Sequence, residues 1–424
     1  MTGDTPVDGP AGSLSEHSHD VAVVGDGPAG SALARALHDR GVDVVLIGSD
    51  QPWHATYTTW IDDLDGVTVG SVALDDVARD DAAGEGIWLH RFAAVEATFD
   101  TSITIERGYG VLDNDRLRRV LRTDVRHRVA TLATAENADA RLVVDSTGWP
   151  SGLDPSDRAT LGDGRAPVAW QTAFGVVLAE PPDGPLGKPT VMDFGPASRT
   201  GDARLPDSVT TFVYSFPVAD GWLVEETVLA GPPIDADLLA PRLAARLDRS
   251  VDDLLDDAVR VERVRIPMGA PIPGTHDTRR PRFGAAAGMI HTATGYSVAS
   301  SLRAADRVAA AVVTALDGRP NGVTDDELSA SVSNAVWPTA LRRTRRLHDY
   351  GLSVLLEMDS PEIRNFFQTF FELPEEAWAS YLRIDTRPDR LAGVMTSMFR
   401  RAGWPLRRRL LRGNLRLLLG VLSP

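Results

Sequence analysis

Cysteine is absent from all 424 positions of the chain. Its absence excludes disulfides, thiolate nucleophiles, Cys-ligated zinc and thiolate-held iron–sulfur clusters, and leaves the redox compartment open. Lysine is nearly absent as well. Lys188 is the only one, and it stands between Gly187 and Pro189 in a stretch that reads as a loop. Schiff-base or P-loop chemistry therefore has one poorly placed candidate. No apolar run approaches the roughly 18–20 residues of a spanning helix. No basic start followed by an apolar stretch marks a signal peptide, so a cytoplasmic location is expected. Acidic residues are missing from one region: Leu391–Pro424 holds seven arginines and no Asp or Glu. Against a net charge of −15 for the whole chain, residues 1–390 therefore carry −22. An acidic body repels nucleic acid, whereas a basic end is drawn to an anionic surface. No His-x-x-x-His or similar spacing occurs, and His17 and His19 fall in a polar tail, so no metal is expected.

What is present fits two or three domains and a large core, with 43% apolar and 24% charged residues. Residues 1–18 are polar and read as a disordered tail. Asp20–Ile47 reads strand, turn, helix, strand; Asp113–Val129 reads helical; Ala140–Gly148 (ARLVVDSTG) is a strand ending in a glycine turn. Between Ala166 and Ala230 short β-rich runs alternate with turn signals, as in an antiparallel sheet. Residues 235–256 look helical, Pro281–Val313 reads strand, glycine-rich turn and helix, and beyond Asp326 nearly everything reads as helix.

Gly25, Gly27 and Gly30 form G-x-G-x-x-G directly between a strand and a helix. There the first glycine permits the tight turn, the second lets the backbone approach a pyrophosphate, and the third allows close helix–strand packing. The carboxylate that usually ends the second strand and binds a ribose hydroxyl is replaced by Gly48, and Asp50 is its candidate substitute. Together with the turns at Gly148 and at FGAAAGMIHTATGYS, this motif resembles the three cofactor segments of p-hydroxybenzoate-hydroxylase-like flavoproteins. No second G-x-G-x-x-G serves a nicotinamide, so the resemblance implies bound FAD. The implied fold class is α/β (α+β overall). It comprises a Rossmann-like FAD-binding domain of residues 19–150 and 262–325, an antiparallel β-sheet substrate-binding domain of 151–261, and a helical C-terminal region of 326–424.

VEETVLA (Val224–Ala230) sets Glu225 beside Glu226 on a probable strand, where neighbours point to opposite faces and only one can meet a cavity. A solvated strand is the ordinary reading of such a pair. The flanking segments change that weighting. GDGPAG, YTTWIDDLDG (Tyr57–Gly66), RGYGVLDNDRLRRVL (Arg107–Leu121), WQTAFG (Trp170–Gly175), VMDFG, FVYSFP, VEETVLA, VRIPMGAPIP, GMIHTATGYSV and FFQTFFELPEEAW (Phe366–Trp378) follow one another over nearly the whole chain. In this the sequence resembles the lycopene β-cyclase family of FAD-binding carotenoid cyclases.

The resemblance implies proton-initiated closure of the ends of a linear polyene to rings, without net redox change. It implies reduced FAD, with NAD(P)H as an external reductant, held by Gly25, Gly27, Pro28, Ala29, Gly30, Asp50, Gly148, Gly288, Met289, Thr294, Gly295 and Tyr296. Glu225 matches the first glutamate of the catalytic segment and is the expected acid, with Glu226, Asp193 and His291 as further candidates. Asp62 and Asp63 relay a proton or cap a loop. Tyr57, Trp60, Phe194, Tyr296 and Gln171 line the substrate cavity or serve as ordinary core residues. The chain departs from the family at His291-Thr292, where His-Pro is usual, at Gly195 for an arginine, and at Asp62-Asp63 for Asp-Glu. The C-terminal FRRAGWPLRRRLLRGNLRLLLGVL has the composition of an interfacial helix, reading either as contact with the inner face of the cell membrane or as a helix docked on the acidic body. Rival readings are a flavin-dependent monooxygenase or prenyl-chain reductase on the same fold, a cyclase of another prenylated substrate, and a non-catalytic flavin or carotenoid carrier.

Overall fold

The computed structural model describes residues 18–74, 86–135, 137–154, 169–195, 209–273, 280–317 and 324–413. The tail ahead of Ser18 and positions 414–424 of the basic end lie outside the described residues. Strands β1 (His19–Val24), β2 (Val44–Gly48) and β11 (Ala140–Asp145) pair in parallel, and β10 (Arg126–Val129) adds at the edge, giving the order β10–β2–β1–β11. Strands covered on both faces need continuous apolar sequence, which VAVV and VVLI supply. β10, with the sequence RHRV, is mostly exposed at the sheet edge. Its polarity is why Asp113–Val129 reads as one helix, whereas helix α2 spans only Asn114–Arg122. Asp113 starts α2 by accepting from the Arg116 amide at 2.9 Å, an ordinary N-cap.

Between β1 and β2 runs α1 (Pro28–His38), with Pro28 in its first turn and no side chain capping its N-terminal amides. Gly25 has φ +107°, and a Cβ there would stand 2.3 Å from the Ser146 carbonyl oxygen. At Gly30 a Cβ would stand 1.8 Å from the Gly25 oxygen, so helix and strand touch backbone to backbone. A long helix, α5 (Val298–Asp317), lies beside α1 and contributes to the same core.

The second sheet has seven strands in the order β16–β12–β15–β14–β13–β7–β8. They are Ala258–Met268 (β16), Ala169–Leu178 (β12), Gly221–Gly231 (β15), Thr211–Val218 (β14), Thr190–Asp193 (β13), Val95–Thr98 (β7) and Ser102–Ile105 (β8). All pairs are antiparallel except β13 with β7. A small sheet of β3 (Thr58–Trp60), β9 (Tyr109–Leu112) and β6 (Trp88–Phe92) stands beside it, and β4 (Thr68–Val69) with β5 (Val72–Ala73) forms a hairpin.

These pairings move two expected boundaries. A cut at 261/262 falls inside β16, which pairs with β12 from Ala258 to Met268. Strands β7 and β8, within 19–150, complete the same sheet rather than the dinucleotide half. Short strands between turns at 58–112 carry little periodicity, and only pairing with distant partners defines them.

One face of the large sheet packs on α3 (Ala240–Arg246) and α4 (Val251–Asp256) through Phe174, Val176, Val224 and Val228. The other looks toward the C-terminal helices α6 (Asp325–Val336), α7 (Thr339–Leu355), α8 (Ser360–Phe371), α9 (Glu375–Tyr381), α10 (Pro388–Arg401) and α11 (Trp404–Leu410). Among the described residues no helix is long and apolar enough to cross a membrane.

Candidate active site

Two cavities adjoin, sharing Tyr57, Ala285, Ser297 and Val298. The smaller, about 480 Å³, is a crevice over the α1 N-terminus lined by Gly25, Asp26, Gly27, Pro28, Ala29 and Gly148 among others. At Gly27 and Gly148 nothing lies within 4 Å of where a Cβ would stand, so backbone faces open space. Free helix amides and bare backbone there suit the pyrophosphate of a dinucleotide. Gly30 supports the crevice from behind.

Asp50 does not reach this crevice. Its φ is +58°, its carboxyl is half exposed, and it pairs with Arg118 and with Arg122 at 3.0 Å. The carboxylate that faces the crevice at the end of β2 is Asp26. A Cβ at Gly48 would come within 2.0 Å of the Asp26 Cγ, so the glycine leaves the strand-end space to a side chain from the glycine loop. Asp26 Oδ2 accepts from the Asp50 amide at 2.9 Å and meets Arg122 at 3.1 Å and His127 at 3.3 Å. Asp26, Asp50 and His127 come within 4.8 Å of one another, and Arg118 and Arg122 already answer the two carboxylates.

The larger cavity, about 820 Å³, is lined by Trp60, Phe212, Tyr214, Tyr296, Phe366 and Phe370 among others, with Gln171 and Glu225 in its wall. The segment FFQTFF is helix α8, whose Phe366, Phe367, Phe370 and Phe371 all reach the cavity. Glu225 sits on β15 opposite Gly175 of β12 and Tyr214 of β14. Burial among these groups, helped by the nearby negative charge of Glu262, pushes the Glu225 carboxyl up to about 8; a hydrogen bond from Thr227 at 3.0 Å opposes the shift only in part. At neutral pH it is a protonated acid facing an apolar space.

Three tyrosine hydroxyls gather beside it. Tyr109 lies 2.6 Å from Tyr296 and 3.1 Å from Tyr214, which donates to Thr58 at 2.7 Å. Burial raises all three above their ordinary value, so they remain neutral donors. Trp60 is fixed by an edge-to-face contact with Tyr109, a tilted contact with Trp378 and the Arg107 guanidinium 4.7 Å from its ring centre. Asp62 and Asp63 hold Arg107 at 2.8–3.0 Å and also bind Arg383, tying the β3 segment to the C-terminal helices. Neither lines the cavity.

Glu226, Asp193, His291 and Phe194 also lie outside both cavities. Alternation along β15 turns Glu226 to the opposite face, where Arg246 of α3 meets it at 2.9 Å. Asp193 accepts from the Gly195 amide at 2.5 Å and stands 3.8 Å from Arg246. His291 is fully buried, and burial pushes it down to about 4; its Nε2 donates to the Tyr381 carbonyl while Nδ1 accepts from the Ala293 amide. Phe194 packs in the core, stacked on Phe367 and tilted against Phe99 and Phe212. Of the expected cofactor residues, Thr294, Gly295 and Tyr296 line the larger cavity, whereas Gly288 and Met289 line neither. Sequence reasoning missed Asp26, Tyr214, Tyr109 and Glu262. Asp26 lay within the glycine motif itself, and only the empty position at Gly48 hinted at it.

A parallel dinucleotide sheet, a large sheet walling an aromatic cavity and a helical C-terminal region define an α/β protein of the flavoprotein type. A crystal structure of a geranylgeranyl bacteriochlorophyll reductase-like protein from Thermoplasma acidophilum shares this fold, at 13% identity and a TM-score of 0.59, over 95% of this chain and 99% of that one. A sequence model of the family described as "Lycopene cyclase protein" matches residues 20–408. The chain is 32% identical to an uncharacterized carotenoid cyclase of Deinococcus radiodurans, with 95% of each covered. It is 29% identical to a lycopene beta cyclase of Synechococcus elongatus, with 90% of this chain and 93% of that one covered. The chain belongs to the lycopene cyclase family, enzymes of carotenoid biosynthesis.

Glu226 and Arg246 are both buried, so removing one partner strands the other charge. Glu226→Ala is expected to lower unfolding free energy by about 3 kcal/mol in denaturant titration. A loss near zero would show that Arg246 finds sufficient compensation in Asp193.

Proposed function

We propose that this protein closes the linear end groups of lycopene to β-rings by adding and then removing a proton, with no net redox change. The observation that carries this reading is Glu225, a carboxyl held in its acid form in the wall of an aromatic cavity. Its proton goes to a carbon of the terminal double bond, whose π electrons form the new C–H bond and leave a tertiary cation. A second double bond attacks that cation and closes the ring. Loss of a proton from the ring-closed cation restores a double bond and returns the proton count to its starting value. The faces of Trp60, Tyr214 and Tyr296 suit the cationic stages, at up to roughly 2 kcal/mol for a desolvated contact. The dry wall also withholds the water that would quench them.

The crevice residues fit FAD: Gly25, Gly27, Pro28, Ala29 and Gly148 for its pyrophosphate, and Asp26 for a ribose hydroxyl. Reduced FAD would supply an electron-rich ring system beside the cavity that favours cationic charge without itself being consumed. The substrate dissolves in membrane, and the C-terminal surface suits an anionic leaflet. Trp404 and Leu411 are 71% and 60% exposed, among the exposed Arg400, Arg408 and Arg412. Leu406 is buried, Arg401 pairs with Glu372 and Arg409 with Glu362, so docking on the body still leaves an exposed basic and apolar face for an anionic leaflet.

Four outcomes test these readings. In a bacterial host that accumulates lycopene, the protein is expected to yield cyclic carotenoid by chromatography, and Glu225→Gln to retain the cofactor but leave lycopene unchanged. Because the acid form is the active one, the rate should hold below pH 8 and fall as pH rises through about 8; full activity of Glu225→Gln would end the assignment. Asp26→Ala should weaken FAD binding about tenfold, roughly 1.4 kcal/mol, in flavin fluorescence titration, while Asp50→Ala should change it less than about twofold. Equal losses would return the ribose role to Asp50. The protein should also sediment with vesicles containing anionic lipid and release at high salt; equal binding to zwitterionic vesicles would remove the role of the arginines.

A further inference from the structure

The strand register lines up four residues on one face of the large sheet. Tyr214 of β14 pairs with Glu225 of β15, Glu225 with Gly175 of β12, and Gly175 with Glu262 of β16. Directly paired residues share a face, so both carboxyls project into the same cavity. Adjacent strands lie about 4.8 Å apart, which sets the two backbones about 10 Å apart. Between them stands a residue without a side chain. A Cβ at Gly175 would already meet Glu225 Cβ and Cγ at 3.3 Å. Glu262 is buried, and its Oε1 accepts from Thr56 at 2.8 Å and from Arg260. Its Oε2 has no partner among the described residues, and neither has the second oxygen of Glu225.

We propose that Glu262 is the second carboxylate of this site and a positioning residue that acts through Glu225, its charge across Gly175 holding the proton on Glu225. A like charge nearby disfavours ionisation of a carboxyl. The negative charge of Glu262 is the second cause, after burial, of the raised Glu225 carboxyl. The other titratable groups around the cavity leave Glu225 as its proton donor. Tyr57, Tyr214, Tyr296 and Tyr381 are all raised above their ordinary value by burial and stay neutral. Arg263 and Arg265 are exposed, the first paired with Asp237 and the second stacked on Trp170. His54 is exposed at the rim. Arg260 is the remaining cation, and it is shared between Glu262 and Asp220. Glu262 thus keeps the acid loaded until the polyene takes its proton.

The catalytic consequence rests on the cyclase reading; the effect of Glu262 on the Glu225 proton does not, and it is measurable without substrate. In difference infrared spectra of the FAD-loaded protein, the carboxylic C=O band that disappears in Glu225→Gln should be lost near pH 8 in the unmodified protein. In Glu262→Gln that loss, and the alkaline limb of the cyclisation rate, should move down by at least about one pH unit. Glu262→Asp keeps the charge and should hold the band near its original position. Arg260→Gln, at a partly exposed site, should move it upward. A band that stays in place in Glu262→Gln or moves down in Arg260→Gln overturns the proposal. A band that shifts as stated in a protein that leaves lycopene unchanged removes the cyclase reading and leaves the role of Glu262 toward Glu225 standing.

Discussion

A carboxyl stays protonated at neutral pH only where its charged form is poorly solvated, and the architecture around Glu225 meets that constraint. Desolvation disfavours the charged form of a carboxyl. The neutral acid at Glu225 therefore depends on the wall around it: the inner face of the large sheet, the tyrosine hydroxyls and the phenylalanines of α8. No single element supplies that wall. β12 lies at its centre, buried along its full length, because helices cover one face and the cavity wall the other. Its Gly175 leaves room where a side chain would crowd Glu225. The C-terminal helices close the opposite side, and Arg383, bound to Asp62 and Asp63, anchors them to the β3 segment that carries Trp60.

The two adjacent glutamates show how a pleat divides function. Glu225 faces the cavity and meets no cation in direct contact, so burial keeps it neutral. Glu226, one residue on, is more deeply buried and meets Arg246 at 2.9 Å. Period-two alternation predicted opposite faces for the pair, and that much was legible from VEET alone. Which face held the cavity came from family resemblance, not from spacing.

The glycine motif was legible for the same reason: each glycine answers a local steric demand that a short sequence can state. The large sheet was only partly legible, because β7 and β8 join it from far upstream through pairing that no local pattern encodes. Aromatic residues were the least legible. Trp60, Tyr57 and Tyr296 reach the cavity, yet Phe194, of the same apolar character, is a core residue packed against Phe99. Burial and cavity lining demand the same side chains, and only the three-dimensional packing separates them. His291 belongs with these. Its motif suggested chemistry, whereas its two ring nitrogens are spent on the Tyr381 carbonyl and the Ala293 amide.

The departures from the family pattern have a common form. Gly48 lacks the strand-end carboxylate, and Asp26 from the glycine loop occupies the space the missing side chain leaves. Gly195 stands in place of an arginine, and Arg246 from α3 brings a guanidinium there, within 3.3 Å of the Gly195 oxygen and beside Glu226 and Asp193. In each case a glycine makes room and a charge of the required sign arrives from elsewhere in the chain. Electrostatic demand is a property of a position in space, since a buried ion needs its counter-charge nearby whatever strand or helix carries it. A motif records one way of meeting that demand at one sequence position. Reading Gly48 as a lost ligand and Asp50 as its nearest replacement followed the sequence, where distance is counted in residues; the fold counts it in ångströms, and by that measure the nearest carboxylate was Asp26.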